Sequence, residues 1–216
     1  YIEMCCPSRE EDPATAFHLW KKKAAEGSVC DYSFHLGVTR LQDGDADALR
    51  RLVQEEGVAS FKVFLAYKGA LMVTDDLFMQ ALERSNEVGG IVQVHAENGW
   101  VIDHLVTQAL GKGQTTPIYH ALTRPESVEA EATGRVIRIA EMVDAPVYIV
   151  HVSCEAAAQE IINARARGVH AYGETCIQYL FLDIEDLNQT TVDSHHCGQV
   201  VAVADTARWR MNFVPA

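Results

Sequence analysis

The sequence predicts an α/β fold of the TIM-type (β/α)8 barrel kind, here a partial barrel of about six β/α units. Strand-like apolar runs alternate with amphipathic helical stretches along the chain. The first four runs start about 30 residues apart, the length of a strand, a helix and two loops, and most are apolar on both faces, as in a parallel sheet. No GxGxxG or phosphate-loop motif follows any run, which favours a barrel over a nucleotide-binding doubly wound sheet.

Taken in order, YIEM at 1–4 reads as a strand with nothing before it, so the chain is expected to begin mid-fold. A helix over 14–26 follows, then a strand over 29–38, a helix over 46–56 and the strand SFKVFLAY over 60–67. Next come a helix over 75–88, the strand IVQVHAE over 91–97 and helices over 99–110 and 128–143. The strand VYIVHVS over 147–153, a helix over 154–167 and a strand over 170–176 complete the pattern. Gly27, Gly57, Gly89 and Gly168 stand where a left-handed cap would close a helix. A partial barrel would leave an unpaired strand at each edge, so an isolated chain is expected to be sticky.

A chain of 216 residues that is 48% hydrophobic can bury a substantial core. Its formal net charge of −12 argues against a nucleic-acid backbone or an anionic membrane as partner. The six cysteines include no CxxC pair, which reads as reduced thiols in a cytoplasmic protein. No apolar run approaches the length of a membrane span.

Three strand-like runs each carry one side chain suited to a metal site: Lys62, His95 and His151. Such groups are costly to bury unless something satisfies them, so their recurrence at strand ends suggests one shared site, with a divalent metal as occupant. His95 lies in phase with Ile91 and Gln93, and His151 with Val147 and Ile149, so each is expected to point inward on a period of two. An ammonium cannot ligate a metal, but burial favours the neutral amine of Lys62, which can take up carbon dioxide as a two-oxygen carbamate. Two metals bridged in that way would activate a hydroxide for attack on a polarised carbonyl.

The motifs SFKVFLAYKG, VHAENG, PIYHALTRPESVEAEATGR, YIVHVSCEAA and YGETCIQYLFLD, in that order across roughly residues 1–186, resemble the dihydropyrimidinase and hydantoinase family of cyclic amidohydrolases. The resemblance implies that the chain covers the second to seventh strands of one barrel domain, with 187–216 a poorly matched tail. It implies that Lys62 is the N6-carboxylated lysine bridging two metals, zinc by expectation, and that His95 and His151 ligate one of them. Tyr67 matches the tyrosine that hydrogen-bonds the substrate carbonyl and stabilises the oxyanion. The substrate implied is a small cyclic amide, a dihydropyrimidine or hydantoin ring opened to an N-carbamoyl amino acid, and the assembly implied is a homotetramer.

The family's His-x-His pair and its catalytic aspartate are not identifiable, so the chain alone is expected to be inactive. TTVDSHHCGQ echoes the aspartate-bearing stretch but puts His195 at the ligand position, and ARWRMNFVPA is a competing match near the same place. Trp100 replaces a usual acidic residue and Ile177 a usual proline. A non-catalytic scaffold resembling the collapsin response mediator proteins is the alternative. Those relatives have lost the lysine at the position of Lys62, and allantoinase and dihydroorotase fit these motifs less well. Among the remaining candidates, Lys68 reads as a solvated loop lysine and His35 as a packing residue. His120 and Arg124 read as positioning residues, Glu97 and Glu174 as supporting carboxylates, Cys154 and Cys176 as small buried residues, and His195, His196 and Cys197 as a solvated tail.

Overall fold

Six strands pair in parallel and in chain order: β1 (Ile2–Cys5), β2 (Ser33–Gly37), β3 (Ser60–Phe64), β4 (Ile91–His95), β5 (Val147–Ile149) and β6 (Ala171–Gly173). The structure is a computed structural model that describes residues 1–42 and 44–188. TTVDSHHCGQ, His195, His196, Cys197 and ARWRMNFVPA lie outside the described residues. Between the strands run α1 (Pro13–Gly27), α2 (Asp45–Glu56), α3 (Asp75–Glu87), α4 (Gly99–Gly111), α5 (Ile118–Leu122), α6 (Glu126–Met142) and α7 (Glu155–Ala166). The predicted partial barrel of six β/α units is the observed fold.

Register divides the side chains between two faces. Val63 pairs with Val94 and Val94 with Ile149, so these residues share a face, and Val92 and Val147 join them one pair earlier. All five are at most 1% exposed and belong to one core with Phe78, Leu82, Val136 and Ile137 of the helices. Burying each such side chain contributes roughly 1.5–3 kcal/mol, which makes this layer the main stabilising contact of the fold. On the opposite, inner face Lys62 pairs with Gln93, Gln93 with Tyr148 and Tyr148 with Tyr172.

Local signals start and stop the helices. Asp12 caps α1 by accepting from the Thr15 amide, with Pro13 in the first helical position, and Asn98 caps α4 through the Val101 amide. Gly57, Gly89 and Gly168 have positive φ, as expected of left-handed caps. Gly27 does not take that role: it is the last residue of α1, and Ser28 follows in extended conformation with its amide on the Ala24 carbonyl.

The strands are shorter than the apolar runs. β2 begins at Ser33, whose amide donates to the Tyr1 carbonyl, whereas Val29 is fully exposed. β3, β5 and β6 end early because their chains leave the ladder to build turns at the C-terminal edge. Helix α5 and two 3-10 turns, Ile177–Leu180 and Ile184–Asn188, lie outside the elements that the sequence pattern predicts. Leu187 and Ala121 are buried together there, against Ile118 and Ile184.

Gly99 marks the tightest approach between α4 and the turn after β3. A Cβ there would lie 2.7 Å from the Leu65 carbonyl oxygen and 2.7 Å from the Met72 sulfur, whereas one at Gly111 would meet nothing within 4 Å. Gly99→Ala is therefore expected to destabilise the chain by about 2 kcal/mol or more through overpacking against backbone, and Gly111→Ala to stabilise it by about 0.5 kcal/mol. Urea denaturation of the two variants beside wild type checks both signs.

Candidate active site

The C-terminal edge of β3, β4 and β5 gathers the four residues singled out from the sequence. Lys62 is inside β3, 3% exposed, with its Nζ 4.7 Å from the centre of the Phe64 ring. Phe64 pairs with His95, the last residue of β4, and their rings are 5.9 Å apart. The His95 ring is 4.6 Å from that of His151 and 5.0 Å from that of Tyr67. Among the described residues, no group of three or more His, Cys, Asp or Glu side chains is arranged to hold a metal.

His151 reaches this site by a different route from the expected one. Ile149 shares the helix-facing side with Val94, so strict alternation would send His151 toward the helices, away from His95. Instead β5 ends at Ile149, and His151 takes the left-handed backbone, with φ of 44°. That departure from strand geometry turns its ring back to the inner rim. His95 itself behaves as expected, on the inner face in phase with Gln93.

Tyr67 is likewise outside its predicted strand. It lies beyond β3 with φ of 66°, and its carbonyl accepts from the amides of Ala70, Leu71 and Met72, which makes a tight turn. Arg9, from the loop after β1, donates to the carbonyls of Ala70 and Met72 and ties that turn across the rim. Non-glycine residues at positive φ are uncommon, and among the described residues only Tyr67, Asp144 and His151 have it. Two of the three are candidate site residues. Tyr67 is 41% exposed, so a donor stands at the mouth of the site.

The two histidines face each other through His95 Nδ1 and His151 Nε2, 2.9 Å apart. Two imidazoles on one tetrahedral zinc hold their nitrogens roughly 3.3 Å apart, so a small opening of this pair would admit an ion. Burial, then the neighbouring His95 and Lys62, push the proton affinity of His151 well below that of an ordinary imidazole, which keeps it neutral as a ligand must be. The other His95 nitrogen, Nε2, is 2.8 Å from Glu97 Oε2, and Arg124 Nε lies 3.7 Å from the same oxygen. Glu97 and Arg124 thus occupy the supporting positions expected of them. A carboxylate on the far nitrogen of a ligating histidine fixes its tautomer and ring orientation.

Burial lowers the proton affinity of Lys62 from the ordinary 10.5 to about 8, against smaller opposing effects of Cys6, Glu174 and Cys176. The donor set of one conditionally neutral lysine and two facing imidazoles therefore suits a carbamate-bridged metal. His35 is half-buried beside Ser60 and Gln93, at 2.6 Å and 3.1 Å, a packing role as expected. Lys68 is a surface lysine, paired with Asp103 at 2.7 Å and lying 4.6 Å from the centre of the exposed Trp100 ring. Glu174 accepts from the Tyr148 hydroxyl at 3.1 Å. Cys5, Cys6, Cys30, Cys154 and Cys176 are thiols, with Cys154 buried and Cys176 half-buried. Glu129 and Ser153 stand out in no motif by themselves, although a carboxylate on the apolar stripe of α6 is a readable signal.

A parallel β/α sheet with a buried lysine inside it and paired histidines at its C-terminal rim defines an α/β protein of the partial-barrel class. No family model matches the chain. It is 44% identical over 182 residues to the D-hydantoinase of Geobacillus stearothermophilus, covering 84% of this chain and 39% of that protein. It is 43% identical over 182 residues to the dihydropyrimidinase of Dictyostelium discoideum, covering 84% and 36% respectively. The dihydropyrimidinase of Brevibacillus agri superposes with a TM-score of 0.85 at 47% identity, covering 88% of this chain and 41% of that one. The chain belongs to the dihydropyrimidinase and D-hydantoinase family, and it spans about two fifths of the length of these relatives. Among the described residues, no helix is long and apolar enough to cross a membrane.

Replacing Lys62 by Met removes a buried charge while keeping an unbranched side chain. Lys62→Met is expected to stabilise the chain by about 1–3 kcal/mol at pH 7. The folded chain releases this proton near pH 8 and the unfolded chain near 10.5, so the unfolded state binds more protons between those values. The stability of wild type relative to Lys62→Met accordingly rises with pH across that window. Urea titrations at pH 7, 8.5 and 10 measure the difference.

Proposed function

We propose that the chain carries part of the active site of a metal-dependent hydrolase that opens a cyclic amide, a dihydropyrimidine or hydantoin ring, to an N-carbamoyl amino acid. The single observation that supports this most is the pair of facing His95 and His151 nitrogens at the rim of a parallel sheet, with buried Lys62 near enough to oppose protonation of His151. The names of the relatives point to the same substrate class.

In this reading Lys62 loses its proton, and its neutral nitrogen forms a bond to the carbon of carbon dioxide. As that N–C bond forms, one C=O π pair of carbon dioxide moves to oxygen and the second N–H proton passes to solvent, giving an N6-carboxylysine whose oxygens would be the lysine's donors to metal. His95 and His151 would hold one such ion, with Glu97 keeping the His95 ring in register. Bound divalent metal, zinc in this proposal, supplies Lewis acidity and a nucleophilic water near neutral pH. Tyr67, placed at the mouth by its left-handed turn, donates its hydroxyl hydrogen bond to the ring carbonyl as negative charge develops on the oxygen. The whole protein is proposed to act on this small substrate as a homotetramer in the cytoplasm. Retention of Lys62 together with both histidines favours this reading over a scaffold.

The 216 residues contain no His-x-His pair, so the chain on its own is expected to bind metal without opening rings. Purified with zinc and bicarbonate, it should carry close to one metal per chain, and Lys62→Ala should lose most of it. Dihydrouracil and hydantoin should remain intact with either protein. Absence of metal from wild-type chain would sink the proposal, and turnover would show that the chain supplies the missing groups itself.

A further inference from the structure

We propose that Glu129 is the positioning residue of His151, acting through the backbone turn that carries the histidine. Its catalytic meaning rests on the reading of His151 as a metal ligand, whereas its geometry does not. Glu129 lies in the first turns of α6 among Val128, Ala132 and Val136, and is 5% exposed. A carboxylate so placed is strongly disfavoured unless donors satisfy it. Ser153 meets both of its oxygens: the amide donates to Oε1 at 2.7 Å and the hydroxyl to Oε2.

Ser153 stands two residues after His151, and the chain between them is tied on each side. The Val150 amide donates to the Val94 carbonyl at 3.2 Å, and the Val152 amide to the Glu174 carbonyl at 2.6 Å. These backbone bonds attach the turn to its neighbours in the sheet, and Glu129 attaches it to the helix layer. The left-handed backbone of His151 persists only where its surroundings over-determine it. Without that backbone the ring would follow Ile149 toward the helices. The two histidines are therefore steered by two glutamates, one on the His95 ring directly and one through the His151 turn.

The test uses the full metal-free chain and NMR of the His151 imidazole, with hydrogen exchange at the Ser153 amide. Glu129→Asp keeps the charge but shortens the reach by one methylene. It is expected to move the His151 ring resonances and to speed Ser153 exchange about tenfold, while the β4 amides exchange as in wild type. Glu129→Gln should restore wild-type behaviour, since its carboxamide oxygen accepts from the Ser153 amide and its NH2 group donates to the Ser153 hydroxyl. Zinc affinity should fall about tenfold or more in Glu129→Asp and hold in Glu129→Gln. Wild-type His151 resonances in Glu129→Asp would overturn the proposal, as would faster exchange spread evenly over the sheet. If the wild-type chain binds no zinc, the catalytic reading fails, while the metal-free spectra still decide whether Glu129 positions His151.

Discussion

The parallel register of β3, β4 and β5 is the constraint on which the rest of the structure depends. Val63, Val94 and Ile149 are held opposite one another, so one face of the sheet is continuous hydrocarbon against the helices. Lys62, Gln93 and Tyr148 are then necessarily on the other face. A slip of one residue would exchange the two sets and place a lysine amine in the helix-packed core. Core packing thus selects the register, and the register delivers Lys62 to a desolvated inner position where its amine gives up a proton more readily than in water.

Regular strand geometry goes no further than the sheet, and the rim is made by departures from it. Tyr67 and His151 both sit just beyond a strand with the left-handed backbone that side-chain sterics disfavour. Neither conformation is local in origin. The turn at Tyr67 is held by three amides on its own carbonyl, by the close approach of Gly99 and by Arg9 from a distant loop. The turn at His151 is held by strands on both sides and by Glu129 behind it. Strain of this kind is compatible with a stable fold because the large aliphatic layer beneath it is independent of the rim.

Carboxylates behind the histidines link the packing to the proposed chemistry. Glu97 lies between His95 and Arg124, and Glu129 meets both donors of Ser153, so each buried charge is satisfied by specific polar groups. A buried network that is fully paired is rigid, which would keep small the opening that the 2.9 Å pair of His95 and His151 needs in order to admit an ion. The motifs that carry the family relationship contain these supporting residues as well as Lys62, His95 and His151.

The alternation of apolar runs and amphipathic helices, together with Lys62, His95, His151 and Tyr67, was legible in the sequence because periodicity and unusual side chains are local properties. Strand ends were less legible. β5 stops at Ile149 because a turn begins there, and that turn is set by partners distant in the chain. The sequence by itself determined the parallel β/α class, the family and which residues are candidates to bear the chemistry. Tertiary structure alone decided how His151 faces His95, since its left-handed backbone reverses the phase that a period of two assigns to it. Glu129 became visible as its anchor for the same reason: only folding brings a carboxylate of α6 to an amide and a hydroxyl 24 residues later.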